Sequence, residues 1–387
     1  MATPDSVAPG LVAPEFVSPG EETLVALRRD LSIWFQREQR DLPWRRTVDA
    51  YAIWVSEAML QQTRVETVLD YWPRFLERFP TIQSLAEAGE EAVLEAWSGL
   101  GYYRRARSLQ AAARVMTDQH GAEFPRDLEG ALALPGIGPY TAGAVLSIAH
   151  DLPVAIVDGN VERVLSRWFL LDGVRTSGPL LREAWKAARR LVEERPVSEV
   201  RPRDWNQALM ELGALVCKPT SPACGVCPVA RHCRARAAGV AGELPRPRPK
   251  KKPIEVALEI YVAEHEGAWL LERRGPDGLM AGMWQFPTVE ALGPGLFPEQ
   301  LPDAIEPALE AGHDLFSISH GITKHRIKGR VRAATCSETR IRPGPDLGWF
   351  TPPDAAELAL TGMAKKILVR LQKEARQTEL FGGGAPR

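Results

Sequence analysis

From Glu21 to Arg236 the apolar positions recur at helical spacing. Thr23 to Gln39, Tyr51 to Phe79, Glu90 to Trp97, Arg104 to His120 and Thr141 to Ala149 read as amphipathic helices joined by short Gly/Pro turns, so residues 21–236 are predicted to be all-α. Beyond Pro253 the period shortens to two. Ile254 to Ala263 and Ala268 to Arg273 flank a His-Glu-Gly turn and read as a hairpin, His325 to Cys336 and Gly348 to Phe350 read as further strands, and Ala355 to Lys373 as a closing amphipathic helix. Residues 254–374 are therefore predicted to form a separable α+β domain. Within the connecting residues 237–253, the run P-R-P-R-P-K-K-K-P from Pro245 to Pro253 has the composition of a stiff, extended, cationic linker able to lie along a phosphate backbone. Residues 1–20 lack a basic start and a continuous apolar centre; they and residues 375–387 read as flexible tails.

The charge balance adds little: the net charge is -1, so any basic surface is local. No apolar run reaches membrane-spanning length, and with no recognisable leader a cytoplasmic location is expected. Cysteine usage is more telling. Cys217, Cys224, Cys227 and Cys233 form a C-x6-C-x2-C-x5-C cluster, while Cys336 stands apart. In a chain otherwise poor in cysteine this points to metal ligation rather than disulfides. Four thiolates suit zinc or a [4Fe-4S] cluster, and spacing does not choose between them.

The densest chemistry lies between Leu134 and Arg163. Gly136 and Gly138 permit a tight turn before the apolar helical run that begins at Thr141, an arrangement whose free helix amides can face a phosphate. Asp158 follows a hydrophobic run. Earlier, Glu57 sits among Val55, Ala58, Met59 and Leu60, apolar surroundings that raise a carboxyl pKa and suit it to donate a proton. Glu57 as acid and Asp158 as charge stabiliser match the division of labour needed for an oxocarbenium-like transition state.

Six motifs occur in order between Leu42 and Cys233: L-P-W-R, S-E-A-M-L-Q-Q-T, G-L-G-Y-Y-R-R-A-R, L-P-G-I-G-P-Y-T-A, V-D-G-N-V-E-R-V and the cysteine quartet. In these the chain resembles the MutY-type adenine DNA glycosylases of the helix-hairpin-helix superfamily. The resemblance implies a six-helix barrel over about residues 48–155, a cluster-bearing helical module from 21–47 and 156–236, and a C-terminal Nudix-like domain that reads 8-oxoguanine. It implies a [4Fe-4S] cluster on the four cysteines. Glu57 becomes the donor to adenine N7, Asp158 the group that stabilises or captures the sugar cation, and Asn160 an organiser of the attacking water. Gln62, Leu100 and Tyr102 match the family's wedge beside the extruded nucleotide. Thr63, Gly136, Gly138 and Thr141 fall among its DNA contacts, and Leu42, Trp44, Arg45 and Gln207 around the flipped base.

Tyr140 separates this chain from the similar endonuclease III branch, where a lysine at this place forms a Schiff base and cleaves the strand; a phenol cannot. A monofunctional glycosylase acting on duplex DNA with adenine opposite 8-oxoguanine or guanine is therefore expected, as a monomer. The competing readings are a bifunctional lyase and a noncatalytic DNA-scanning protein. In the C-terminal half, Arg273 to Pro287 resembles a Nudix core, but no R-E-x-x-E-E box follows, so pyrophosphate hydrolysis is not expected. Where relatives carry F-S-H for the lesion, this chain places Ile322, Thr323 and Lys324, with His320 or His325 as substitutes for the missing histidine. Gln377, Leu380 and Phe381 resemble a sliding-clamp peptide.

Overall fold

The computed structural model describes residues 15–192, 200–249, 252–275, 279–302, 305–322, 324–336 and 344–381. It divides into two units, Met1–Val93 with Arg104–Pro249 and Leu94–Tyr103 with Lys250–Arg387. The grouping of Leu94–Tyr103 departs from the uninterrupted helical region read from periodicity, which reports a local repeat and not the contacts of a short loop. Among the described residues no helix is long and apolar enough to cross a membrane.

The helices run α1 (Glu21–Glu38), α2 (Ala50–Leu60), α3 (Val65–Arg78), α4 (Ile82–Glu87), α5 (Glu90–Ala96), α6 (Arg104–Gln119), α7 (Leu128–Ala133), α8 (Pro139–His150), α9 (Gly159–Phe169), α10 (Gly178–Val192), α11 (Pro202–Leu215) and α12 (Arg234–Ala237). Helix α2 is buried from Tyr51 to Met59, as a helix apolar all round must be. It packs on α3, α6 and α8; α8 also touches α11, and α11 in turn packs on α9 and α1. The single helix expected over Tyr51 to Phe79 is instead two. The Arg105 guanidinium takes the carbonyls of Ala58 and Met59 at 2.9 Å each, together with that of Gln61, so the end of α2 is satisfied by a side chain rather than by a further turn. Gln62 then turns the chain at φ 60.

Two expected loose segments are partly folded. The Phe16 amide donates to Glu183 at 2.9 Å and its ring meets Phe169 edge-on, so the N-terminal tail is held from there. The start of the supposed linker is docked too. Arg246 pairs through its backbone with Gly173 and Arg175 and through its guanidinium with Asp172, while Arg248 donates to the carbonyls of Arg175 and Thr176. Proline-rich composition carried no sign that Arg246 and Arg248 would find a loop to pair with.

The second unit is a mixed sheet of β1 (Ile254–His265), β2 (Ala268–Arg273), β3 (Trp284–Gln285), β4 (Thr288–Leu292), β5 (Leu309–Ile322), β6 (His325–Cys336) and β7 (Leu347–Phe350). The main path is β3-β2-β1-β6-β5, with β4 on β1 and β7 on β2. Strands β1 and β6 are parallel, and the β1–β2 hairpin turns through Glu266 and Gly267 at φ 46 and 74, the double positive φ that a two-residue turn needs. Strand β5 escaped the periodicity because bulges at Ala311, Asp314 and Phe316 break its alternation. The closing helix is likewise two, α13 (Pro352–Glu357) and α14 (Gly362–Phe381). Between them Leu360 bridges to Trp284, and the Thr361 hydroxyl caps Ala364 to restart the helix. Because α14 runs to Phe381, the backbone of Gln377, Leu380 and Phe381 is helical rather than a flexible tail; their side chains lie outside the described residues.

Candidate active site and cysteine loop

Helices α2, α8, α9 and α11 bring the acidic residues together. Glu57 is only 5% exposed on α2, and Tyr140, in the first turn of α8, donates its hydroxyl to Glu57 Oε2 at 2.7 Å. Met210 Sδ on α11 lies 3.2 Å from the same hydroxyl. Burial pushes the Glu57 carboxyl up to about 7; the Tyr140 hydrogen bond and Arg45 oppose this, and the charge of Asp158 adds to it. Burial, with both carboxylates nearby, raises the Tyr140 phenol well above its usual range, so it remains a hydrogen-bond donor.

Asp158 caps α9, its Oδ1 accepting the amides of Asn160 at 2.9 Å and Val161 at 2.7 Å. Burial raises its pKa, opposed by those two amides, Arg163 and the Asn160 side chain. The Asn160 amide is committed at both ends: it donates to Asp158 Oδ2 at 3.2 Å and accepts from Arg163 at 2.8 Å. It therefore fixes the aspartate, and keeps a second N–H and a second oxygen lone pair for other partners. Arg163 also donates to the carbonyls of Gly213 at 2.9 Å and Cys217 at 2.8 Å. Gly213 allows this approach, since a Cβ there would stand 2.7 Å from Asn160 Cβ.

The four free thiols of Cys217, Cys224, Cys227 and Cys233 line one cavity beside Arg167. Arg167 is buried, and it donates to Cys217 Sγ at 3.3 Å and to the carbonyls of Lys218, Pro219 and Leu244 at 2.7 to 2.9 Å. Burial pushes the Cys227 thiol up to about 11. Four thiols on one cavity are the donor set that either a zinc ion or an iron-sulfur cluster takes.

The hairpin keeps its glycines for separate reasons. Gly136 sits at φ +73 with a hypothetical Cβ 2.5 Å from Ser108, whereas Gly138 faces open space at the uncapped start of α8. The Thr141 side chain faces inward, buried and accepting from Gln61 at 3.2 Å, so a DNA contact here falls to the backbone amides of the helix start. Thr63 accepts from Arg105 at 3.1 Å. Of the wedge residues, Gln62 and Tyr102 are exposed and held at φ 60 and 51, where non-glycine residues are strained, but Leu100 is buried.

The residues expected around the base are buried or paired within the helical unit. Leu42 and Trp44 are buried, Trp44 edge-on to Trp72, and Gln207 is buried with its amide on the Arg203 carbonyl at 3.3 Å. Arg45 and Arg40 both grip Glu211, at 2.8 and 2.7 Å. Burial would raise Glu211, but the two guanidinium hydrogen bonds outweigh it and hold the carboxyl at about 2. Its folded pKa lies below the ordinary 4.5, so this stabilisation is complete above 4.5 and lost as pH falls through 2. Glu211→Gln is expected to lose about 3 kcal/mol in denaturant unfolding at neutral pH, with the deficit shrinking in acid; equal stability at neutrality would contradict the clamp.

In the second unit Ile322 packs against the core, Lys324 is exposed, and Thr323 lies outside the described residues. His320 and His325 carry buried, unpartnered Nδ1 atoms; His325 is only 8% exposed and His320 is half-buried. Sequence reasoning missed Arg105, Arg163, Arg167 and Glu211. For the α9 arginines a signal existed: charges four apart among Val161, Val164, Leu165 and Trp168, in a helix buried on every side.

A model of the HhH-GPD superfamily of base excision DNA repair proteins matches residues 55–190, and a NUDIX domain model matches residues 260–370. Adenine DNA glycosylase from Rattus norvegicus is 34% identical, covering 94% of this chain and 81% of its own; that from Homo sapiens is 34% identical over 89% and 73%. Adenine DNA glycosylase from Mycolicibacterium smegmatis is 44% identical over 54% of this chain and 69% of its own. Among solved structures, a thermostable thymine-DNA glycosylase superposes with a TM-score of 0.50 at 26% identity, covering 56% of this chain and 98% of that one. With a buried acid, a capped aspartate, a helical base-excision module and a Nudix-like domain in one chain, this protein belongs to the adenine DNA glycosylases, enzymes of base excision repair that act on N-glycosyl bonds.

Proposed function

We propose that this enzyme excises adenine opposite 8-oxoguanine or guanine in duplex DNA and stops at the abasic site. The observation that carries the reading is the Tyr140–Glu57 hydrogen bond, which sets a phenol, not an amine, beside the proton donor. A phenol forms no imine with the opened sugar, so strand cleavage lacks its nucleophile there. The adenine leaves the stack before reaction. Glu57, whose raised pKa of about 7 keeps a large share of it protonated near neutral pH, gives its proton to adenine N7 as the glycosidic bond breaks, and Asp158 balances the positive charge that grows on the sugar. Asn160 and Arg163 hold Asp158 in place. Gln62 and Tyr102 are suited to fill the vacated space, and Ile322, Thr323 and Lys324 by residue type to meet the opposite base.

Cys217, Cys224, Cys227 and Cys233 suit a [4Fe-4S] cluster: four free thiols round one cavity, in a chain that belongs to this glycosylase family. Such a cluster, when bound, supplies metal–thiolate bonds that fix the loop whose carbonyls hold Arg163 and Arg167. The sequence Q-T-E-L-F supports docking on a sliding clamp. We place the enzyme, as a monomer, on the chromosome in the cytoplasm.

The test is single-turnover reaction on duplexes with adenine opposite 8-oxoguanine or opposite guanine, resolved before and after hot alkali. Strand breaks only after alkali are expected with both. Breaks without alkali would contradict the monofunctional reading, and absence of product in both lanes would contradict excision.

A further inference from the structure

One face of the second unit's sheet carries a row of cations for which adenine excision has no use. Along β6, His325, Ile327, Gly329 and Val331 are buried, while the alternate residues Arg326, Lys328 and Arg330 are 63, 72 and 57% exposed at the side chain and Arg332 26%. Exposed Lys324 precedes them in the same phase. Two residues of strand advance about 6.7 Å, so the cations form an evenly spaced line.

The flanking strands leave this line accessible. Opposite Arg326, Lys328, Arg330 and Arg332, β1 sets Glu255, Ala257, Glu259 and Tyr261, and β5 sets Gly321, Ser319, Ser317 and Asp314. Five cations thus face three carboxylates, each shared. Glu255 lies 3.4 Å from Arg326 and 3.8 Å from Lys328; Glu259 lies 3.8 and 3.3 Å from Arg330 and Arg332, and Asp314 2.8 and 3.5 Å from the same two. The exposed pairs at Arg326, Lys328 and Arg330 are weak and exchange readily for other anions, whereas Arg332 and Glu259 are half-buried.

We propose that the outer face of β6 is a track for the phosphate backbone of duplex DNA. A duplex presents a dense array of phosphates along each winding strand, so an exposed row of cations can neutralise those that pass over it. Ser317 and Ser319 add hydroxyl donors beside Arg330 and Lys328, and Gly321 leaves room beside Arg326. Nothing in the row reads a base, so the contact is independent of sequence and lesion. It goes beyond excision and rests only on DNA being the substrate.

The test uses the full chain with Arg326→Gln and Lys328→Gln together, and Lys328→Gln alone as a milder variant, each with its melting temperature compared with the parent's. Binding to undamaged and mispaired duplexes is followed by anisotropy across a salt series, beside single-turnover excision at saturating enzyme. The double variant is expected to flatten the slope of log affinity against log salt by about 1.8, from about 0.9 per lost phosphate contact, and Lys328→Gln by about half that. Both duplexes should weaken equally, by on the order of tenfold for the double variant, with the saturated excision rate unchanged. An unchanged slope would overturn the proposal. So would a loss confined to the mispaired duplex, or weakened binding to an acidic protein surface with DNA binding intact. Because the slope is read on undamaged DNA, failure of the excision reading would leave this test standing.

Discussion

Asp158→Asn is expected to lower single-turnover adenine excision by at least about a thousandfold while leaving duplex affinity within about twofold. The asymmetry follows from what the carboxylate faces. In the ground state it serves as the cap of α9, accepting the Asn160 and Val161 amides, and asparagine caps about as well as aspartate. The negative charge matters only when the sugar becomes cationic, and about 4 kcal/mol of charge stabilisation at that moment corresponds to the predicted loss. Excision and anisotropy on the same preparation check this. If affinity fell as far as rate, Asp158 would be a structural residue and the chemistry would have to be sought elsewhere.

The second large effect concerns Glu57. Its carboxyl is held at about 7 chiefly by burial, so the parent enzyme's excision rate should fall about tenfold per unit as pH rises beyond 7. Glu57→Gln still accepts the Tyr140 hydroxyl but has no proton to give, and is expected to lose about 10²- to 10⁴-fold in rate together with that pH limb. Stability moves the opposite way. A folded pKa raised above the ordinary 4.5 means that stability is full below 4.5 and lost as pH rises through 7. The glutamine variant should therefore melt higher than the parent at about pH 8 and lose that advantage in acid. A variant that excises at the parental rate would remove Glu57 from the chemistry.

Tyr140 shows how the two kinds of information divide. Its identity, legible in the chain, argued against an imine-forming enzyme. That its hydroxyl would sit on Glu57 itself, and so help set the acid's pKa, depended on α8 packing across α2. Asn160 shows the reverse: the sequence supplied the residue, but not that its amide would join Asp158 to Arg163. Arg45 and Gln207 were likewise drawn toward the base by motif position and found engaged with Glu211 and the Arg203 carbonyl. The break after Leu60 was not legible because its cause, Arg105, lies on another helix.

The sequence by itself determined the order of a helical half and a sheet half, the cysteine quartet, the glycine hairpin and the identities of Glu57, Asp158 and Tyr140. These depend on local periodicity, turn chemistry and residue type, which are properties of short segments. Only the tertiary structure decided which polar groups are spent on one another: Arg163 on Asn160 and Cys217, Arg167 on the cysteine loop, Arg105 on the end of α2, Arg45 on Glu211. The physical reason is that a buried charge must find its partners wherever packing brings them, and, apart from Asn160 one helical turn from Arg163, those partners lie tens to hundreds of residues away in the chain.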